Sequence, residues 1–196
     1  MKITSAEFVL SATLPGQFPR EGWPEIAFAG RSNVGKSSVI NRLLRVRGLA
    51  RTSSTPGRTR EIVFFRINRK FFFVDLPGYG YAKVAQTVKG TWVALMRSYL
   101  EGRSRLVQVL LIVDSRLGPT PLDLQMLEWL QFNRLPYFIV STKADKLSKI
   151  ELQKSIQHSE SYAQGASVVP FSAVNNLGHD KVWALLGPLI ERGQAR

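Results

Sequence analysis

The sequence predicts an α/β fold, a three-layer sandwich around a mostly parallel six-stranded sheet with one antiparallel strand. Three observations predict it. Strand-like apolar runs alternate with helix-like segments along the chain, the pattern of a parallel sheet covered by helices on both faces. Residues 106–113 are apolar almost without a break, as expected of a strand buried on both sides. Residues 61–68 and 70–75 are two β-rich runs separated by a single residue, so they pair antiparallel as a hairpin.

The elements follow in order. Residues 1–24 are read as an N-terminal extension packing on the domain. A short apolar run at 26–30 ends in glycine and reads as a strand, and 35–44 reads as the helix after it. The hairpin 61–75 comes next. Val88, Trp92, Leu95, Met96, Tyr99 and Leu100 recur at helical spacing. The buried strand 106–113 precedes a helix at Pro121–Phe132, which begins with proline. Residues 136–141 form a strand, and Ser148 with Glu151 has the spacing of a capping box that opens the next helix. Residues 167–171 form the last strand. Val182, Leu185, Leu186, Leu189 and Ile190 mark the inner stripe of a closing helix. Long irregular stretches fall at 45–60 and 77–87, and loops of this length in a compact domain are commonly functional.

The 196 residues suit one domain over 1–196. No apolar run approaches the ~20 residues needed to span a bilayer. The first residues are too polar for a signal peptide, so the expected address is cytoplasmic. There are no cysteines, which excludes disulfides, thiolate metal sites and cysteine nucleophiles. His158 and His179, the two histidines, read as surface residues. The formal net charge is +13, and it is clustered. Arg42, Arg45, Arg47, Arg51, Arg58, Arg60, Arg66, Arg69 and Lys70 face one acid, Glu61, within the same segment. Such a basic face, Arg42 to Lys70, favours a polyanionic partner.

Three motifs carry chemistry. Gly30-Arg31-Ser32-Asn33-Val34-Gly35-Lys36-Ser37 follows a strand and opens a helix. Its glycines let backbone N–H groups point at phosphate oxygens, the helix N-terminus adds positive potential, Lys36 reaches the outer phosphates, and the Ser37 hydroxyl suits Mg²⁺. Asp75-Leu76-Pro77-Gly78 ends the second hairpin strand. Asp75 suits Mg²⁺ through a water, and the Gly78 N–H meets a γ-phosphate. Thr142-Lys143-Ala144-Asp145 sits just past a strand. The Asp145 carboxylate accepts from guanine N1–H and the exocyclic amine, whereas adenine presents an acceptor there. The Lys143 stem packs along the base. Phe171-Ser172-Ala173 ends the last strand, where a backbone N–H supports the base edge. Together these imply a P-loop NTPase G domain that binds GTP and GDP. Thr52, Thr55 and Thr59 are equal candidates, by spacing, for a second metal hydroxyl.

The strings GRSNVGKSS (30–38), TPGRT (55–59), DLPGYGYA (75–82), TKAD (142–145) and FSA (171–173) closely resemble the EngB (YihA/YsxC) family of ribosome-biogenesis GTP-binding proteins, of the translation-factor-related GTPase superclass. The resemblance covers nearly the whole chain. It implies a GTPase that assists assembly of the large ribosomal subunit, with an indirect role in normal division-septum formation. It assigns Thr59 as the second Mg²⁺ ligand, and Gly57, Arg58, Thr59, Arg60 and Glu61 to the nucleotide site.

Many small GTPases place a glutamine directly after the DxxG glycine to orient the attacking water. Tyr79 stands there, so intrinsic turnover is expected to be slow, with Lys36 and Gly78 as phosphate stabilisers and no assigned catalytic side chain. Asn33 either helps bind K⁺ near the phosphates or steadies the loop. Tyr79 and Tyr81 either contact a partner or pack on a helix. The alternative to an rRNA-binding assembly factor is a G-domain regulator of a protein complex that does not bind rRNA directly. A monomer is expected, since no dimerisation stripe remains once the core faces are assigned.

Overall fold

The computed structural model describes residues 1–50, 61–80 and 86–195, the side chains of 86–93 excepted. Twelve main elements run in the order β1 (Ala6–Ala12), β2 (Glu25–Gly30), α1 (Lys36–Leu44), β3 (Ile62–Ile67), β4 (Phe71–Asp75), α2 (Gln86–Gly102), β5 (Leu106–Asp114), α3 (Pro121–Phe132), β6 (Tyr137–Thr142), α4 (Lys149–Glu160), β7 (Val168–Pro170) and α5 (His179–Gln194). The sheet order is β1-β3-β4-β2-β5-β6-β7. β3 runs antiparallel to both neighbours, and every other pairing is parallel.

The sheet has seven strands, not the six expected. Residues 1–24 do more than pack on the domain, because they supply β1, which zips antiparallel onto β3 from Ala6 opposite Ile67 to Ala12 opposite Ile62. A bulge between Phe8 and Leu10 breaks the register, so the sequence loses the period-two alternation that marks a strand. Asn68, at positive φ in the β3–β4 turn, anchors the start of the chain. Its Oδ1 accepts from Thr4 N at 2.7 Å and Ser5 N at 3.1 Å, and its Nδ2 donates to Lys2 O at 2.8 Å.

Two apolar layers sandwich the sheet. One holds Ala27, Phe64, Phe72, Leu95, Tyr99, Leu111, Leu127 and Leu130, so α2 and α3 cover this face. The other holds Phe28, Ile40, Leu43, Phe73, Ile112, Val182, Leu186 and Ile190, under α1 and α5. Val109 to Val113 of β5 alternate between the two layers, which explains the unbroken apolar run. Of the predicted α2 stripe, Leu95, Met96, Tyr99 and Leu100 are buried, and Val88 and Trp92 lie outside the described side chains. The Glu25 carboxylate, fully buried at the start of β2, accepts from Tyr99 Oη at 2.9 Å and Arg103 Nε at 2.9 Å, tying the end of α2 to the sheet.

The helix starts follow their caps. α3 opens with Thr120, Pro121 and a capping box closed by Asp123. Ser148 accepts from Glu151 N and Glu151 returns a bond to Ser148 N at 2.8 Å, which starts α4. His179 is not a surface residue. It is buried at the first turn of α5, with Nδ1 2.8 Å from Asp180 Oδ1, whereas His158 is exposed. No helix of the described residues is long and apolar enough to cross a membrane.

Candidate functional site

The parallel strands β2, β4, β5, β6 and β7 all end at one edge of the sheet, and every described motif lies there. Gly30 ends β2, and residues 31–35 curl into α1, whose first residues are Lys36 and Ser37. Gly35 precedes α1 at φ 105°, a left-handed conformation that glycine adopts without strain. Val39 N donates to Gly35 O at 2.9 Å, so the free N–H groups of the first turn face the loop.

Asp75 ends β4 one strand away, and Lys36 Nζ donates to its Oδ1. The following segment leans on the phosphate loop. Ser32 N donates to Tyr79 O at 3.1 Å and Tyr79 N to Gly30 O at 3.3 Å. Gly78 passes so near that a Cβ there would lie 2.9 Å from Ser32 Oγ and 3.0 Å from Ser32 N, so a side chain at this position would force the phosphate loop to shift. Tyr79 turns inward and is buried. Its hydroxyl donates to Asp123 Oδ1 of α3 at 2.9 Å. Burial, and then the neighbouring carboxylate, push the Tyr79 hydroxyl well above the usual phenol range, so it remains a neutral donor.

The third motif is fastened to the first. Thr142 Oγ1 lies 2.7 Å from Val34 O, and Lys143 Nζ donates to Asn33 O at 3.1 Å and to Asp114 Oδ2 at 2.8 Å. Lys143 and Asn33 both hold positive φ, at 58° and 63°. Asp145 follows in a short 3-10 turn, Ala144–Lys146, and its Oδ1 accepts from Ser172 Oγ at 2.7 Å. That hydrogen bond, against the effect of burial, holds the Asp145 carboxyl below its ordinary value. Phe171 O accepts from Ala144 N at 3.2 Å, so Phe171, Ser172 and Ala173 stand directly beside 142–145. Leu76, Pro77, Val34 and Arg31 complete the described part of the predicted set along this edge. Glu61 precedes β3 at the same end, because Val63 pairs with Asp75. Gly57, Arg58, Thr59 and Arg60 lie outside the described residues, as do Thr52, Thr55 and Tyr81.

Two buried acids escaped the sequence reading. Asp114 ends β5 and orients Lys143. Burial alone would raise its carboxyl, but hydrogen bonds from Arg116 (Nη2 at 2.8 Å) and Lys143 lower it to about 2. Its signal was a lone acid closing an apolar strand. Asp123, masked by its role in the α3 cap, also receives Arg31 Nε at 3.0 Å.

The donor chemistry fits a small hard cation. Ser37 and Asp75 offer oxygen ligands next to Lys36, and Mg²⁺ typically takes one or two carboxylates plus substrate phosphates, not a protein cage. The described residues hold no cluster of three or more His, Cys, Asp or Glu side chains. G-domain GTPases generally use Mg²⁺ with GTP.

Comparison with known proteins gives the geometry a family. Residues 25–143 match the family described as 50S ribosome-binding GTPase. The chain is 48% identical over 186 residues to the probable GTP-binding protein EngB of Clostridioides difficile (strain 630), covering 93% of this chain and 92% of that one. It is 49% identical over 193 residues to the protein of the same name from Geobacter sp. (strain M21), covering 97% and 90%. A crystal structure of a probable GTP-binding protein engB superposes with a TM-score of 0.69 at 22% identity, covering 86% of this chain and 99% of that one. Era, in complex with MgGDPNP and nucleotides 1506–1542 of 16S ribosomal RNA, superposes with a TM-score of 0.68 at 22% identity, covering 86% and 56%. At such identities the structural likeness shows the fold alone. The sequence relatives carry the assignment, and the chain belongs to the EngB family of GTP-binding proteins, GTPases of the ribosome-biogenesis class built on a P-loop G domain.

Proposed function

We propose that the chain binds GTP and GDP across the sheet edge just described and acts as a nucleotide-gated assembly factor for the large ribosomal subunit. The observation that carries the nucleotide reading is the fastening of Asp145 to Ser172 and of Lys143 to Asn33. A base reader is thereby held at fixed distance from a phosphate loop. Residues 30–37 cradle the phosphates, Asp145 selects guanine, and 171–173 back the base. Ser37, with Thr59 as the resemblance assigns it and Asp75 through a water, would hold Mg²⁺, which supplies charge neutralisation at the β- and γ-phosphates. Gly57, Arg58, Arg60 and Glu61 join the same site by resemblance.

Hydrolysis by the isolated protein is slow on this reading. Tyr79 stands where a water-orienting glutamine is common, and it is committed to Asp123. A bound K⁺ near Asn33 would supply charge stabilisation in place of an arginine finger. Equal turnover in KCl and NaCl would remove that part.

The large-subunit role rests on the family match and on the basic excess between Arg42 and Lys70. The contact is with rRNA, the protein acts as a monomer in the cytoplasm, and any septation defect follows from ribosome supply. Co-sedimentation with purified subunits tests this, comparing GDP with a non-hydrolysable GTP analogue. Selective pelleting with the large subunit in the analogue is expected. Intact nucleotide binding without pelleting in either state would overturn the ribosomal assignment and leave the GTPase.

A further inference from the structure

Asp123 is 1% exposed and meets four donors from three parts of the chain. Its Oδ2 accepts from Arg31 Nε of the phosphate loop (3.0 Å), Thr120 N (3.0 Å) and Thr120 Oγ1 (2.7 Å). Its Oδ1 accepts from Tyr79 Oη at 2.9 Å. Thr120 belongs to the α3 cap, whereas Tyr79 lies in the segment that follows β4. The same segment is seated by packing, since a Cβ on Gly80 would lie 2.8 Å from Leu122 Cδ1. One buried carboxylate on α3 thus fixes the phosphate loop and the Asp75–Gly78 segment to a common support.

We propose that the Tyr79–Asp123 hydrogen bond is a latch that holds the Gly78 N–H in register with the phosphate loop, so that its loss weakens binding of guanosine triphosphate and spares binding of the diphosphate. Tyr79 and Asp123 are positioning residues, and neither touches nucleotide. The inference rests on the nucleotide-site reading above, and it goes beyond it by naming what seats the segment that would meet a γ-phosphate.

The argument is one of populations. Gly78 runs against Ser32, and two backbone bonds on Tyr79, of 3.1 and 3.3 Å, join the segment to the phosphate loop. Only a γ-phosphate reaches Gly78. A diphosphate makes no contact that distinguishes a seated segment from a displaced one. A ligand with equal affinity for two states shifts neither, and loss of the seated state taxes only the ligand that needs it. Removing the latch therefore weakens triphosphate binding and spares diphosphate binding.

Tyr79→Phe removes the hydroxyl and keeps the ring in its buried site. The test measures dissociation constants for GDP and for a non-hydrolysable GTP analogue, with Mg²⁺, on wild-type chain and variants, each checked by thermal melting. In Tyr79→Phe the analogue is expected to bind about tenfold more weakly, the scale of one lost buried hydrogen bond, while GDP stays within about twofold. Asp123→Asn should reproduce the selective loss, and the double variant should add little to it. Thr120→Ala removes a donor from the other carboxylate oxygen and weakens the α3 cap. It should lower the melting temperature and leave the ratio of the two constants unchanged.

Parallel weakening of both nucleotides in Tyr79→Phe would overturn the latch, as would an unchanged ratio or an equal change in Thr120→Ala. Failure of the wild-type chain to bind either nucleotide would instead overturn the site reading beneath it.

Discussion

On the proposed nucleotide site, Asp145 is the side chain that reads the base. A free carboxylate at a sheet edge would sample several rotamers, but Ser172 Oγ at 2.7 Å occupies one oxygen and fixes the plane. On that reading the group is presented as an acceptor for guanine N1–H and the exocyclic amine. Asp145→Ala should lose at least about 100-fold in GDP affinity, because the donors of a bound guanine are left unpaired. Asp145→Asn should favour xanthosine diphosphate, whose 2-oxo group accepts from the new amide. Competition titrations with the two nucleotides check both. Asp114 acts one step back, through Lys143. Its carboxyl lies at about 2 when folded, against an ordinary 3.8. A depressed carboxylate stabilises the fold fully above its unfolded value and loses that contribution as pH falls through the folded one. The window is therefore about pH 4 to pH 2, worth at most about 2 kcal/mol because Arg116 is half exposed to screening solvent. Urea midpoints measured across that window should fall more steeply for wild type than for Asp114→Asn.

At the scale of elements, the corner between β7 and α5 carries Phe171, Ser172 and Ala173, and one glycine makes it passable. Gly178 holds φ 80°, and a Cβ there would stand 2.1 Å from Pro170 O. Gly178→Ala should destabilise the protein by about 2–4 kcal/mol, combining left-handed strain with a backbone clash, and should weaken guanine binding by moving Ser172. Denaturant melts and GDP titration read the two effects separately. Most of these elements were legible because their signals are local. The Pro121 start of α3, the Ser148–Glu151 box and the apolar β5 run all report on their own neighbourhood. β1 was not legible, because a bulged edge strand carries no clean alternation, and what places it is its pairing with β3 and the anchor of residues 2–5 on Asn68, over sixty residues away. The site divides the same way. The three nucleotide motifs could be read from spacing. Asp114 and Asp123 could not, since their partners Lys143, Arg31 and Tyr79 meet them only in the folded chain. The even choice over Tyr79 is settled for the same reason, by a buried hydroxyl that finds its acceptor on α3.

Across the whole molecule, the described exposed part of the basic cluster lies away from the phosphate loop. Arg51, Arg58 and Arg60 of the cluster between Arg42 and Lys70 lie outside the described residues. Of the others, Arg66 is paired with Glu7 at 2.8 Å, and Arg42 donates to Val174 O at 3.3 Å. Arg45, Arg47, Arg69 and Lys70 are exposed. Arg69 and Lys70 sit in the turn before β4, and β4 runs parallel to β2, so this turn lies at the end of the sheet opposite the phosphate loop. Arg45 and Arg47 follow α1, which runs back from that loop. A phosphate backbone held here would not touch the nucleotide. On the proposed rRNA role, Arg69→Ala with Lys70→Ala should weaken pelleting with the large subunit and reduce the slope of log affinity against log salt by about one per lost phosphate contact. GDP affinity should not change, and the ratio of pelleting between GTP analogue and GDP should be kept. A lost ratio would place nucleotide gating in this distal turn. An unchanged slope would mean that Arg69 and Lys70 do not carry the contact, which would then fall to the other basic residues of the cluster.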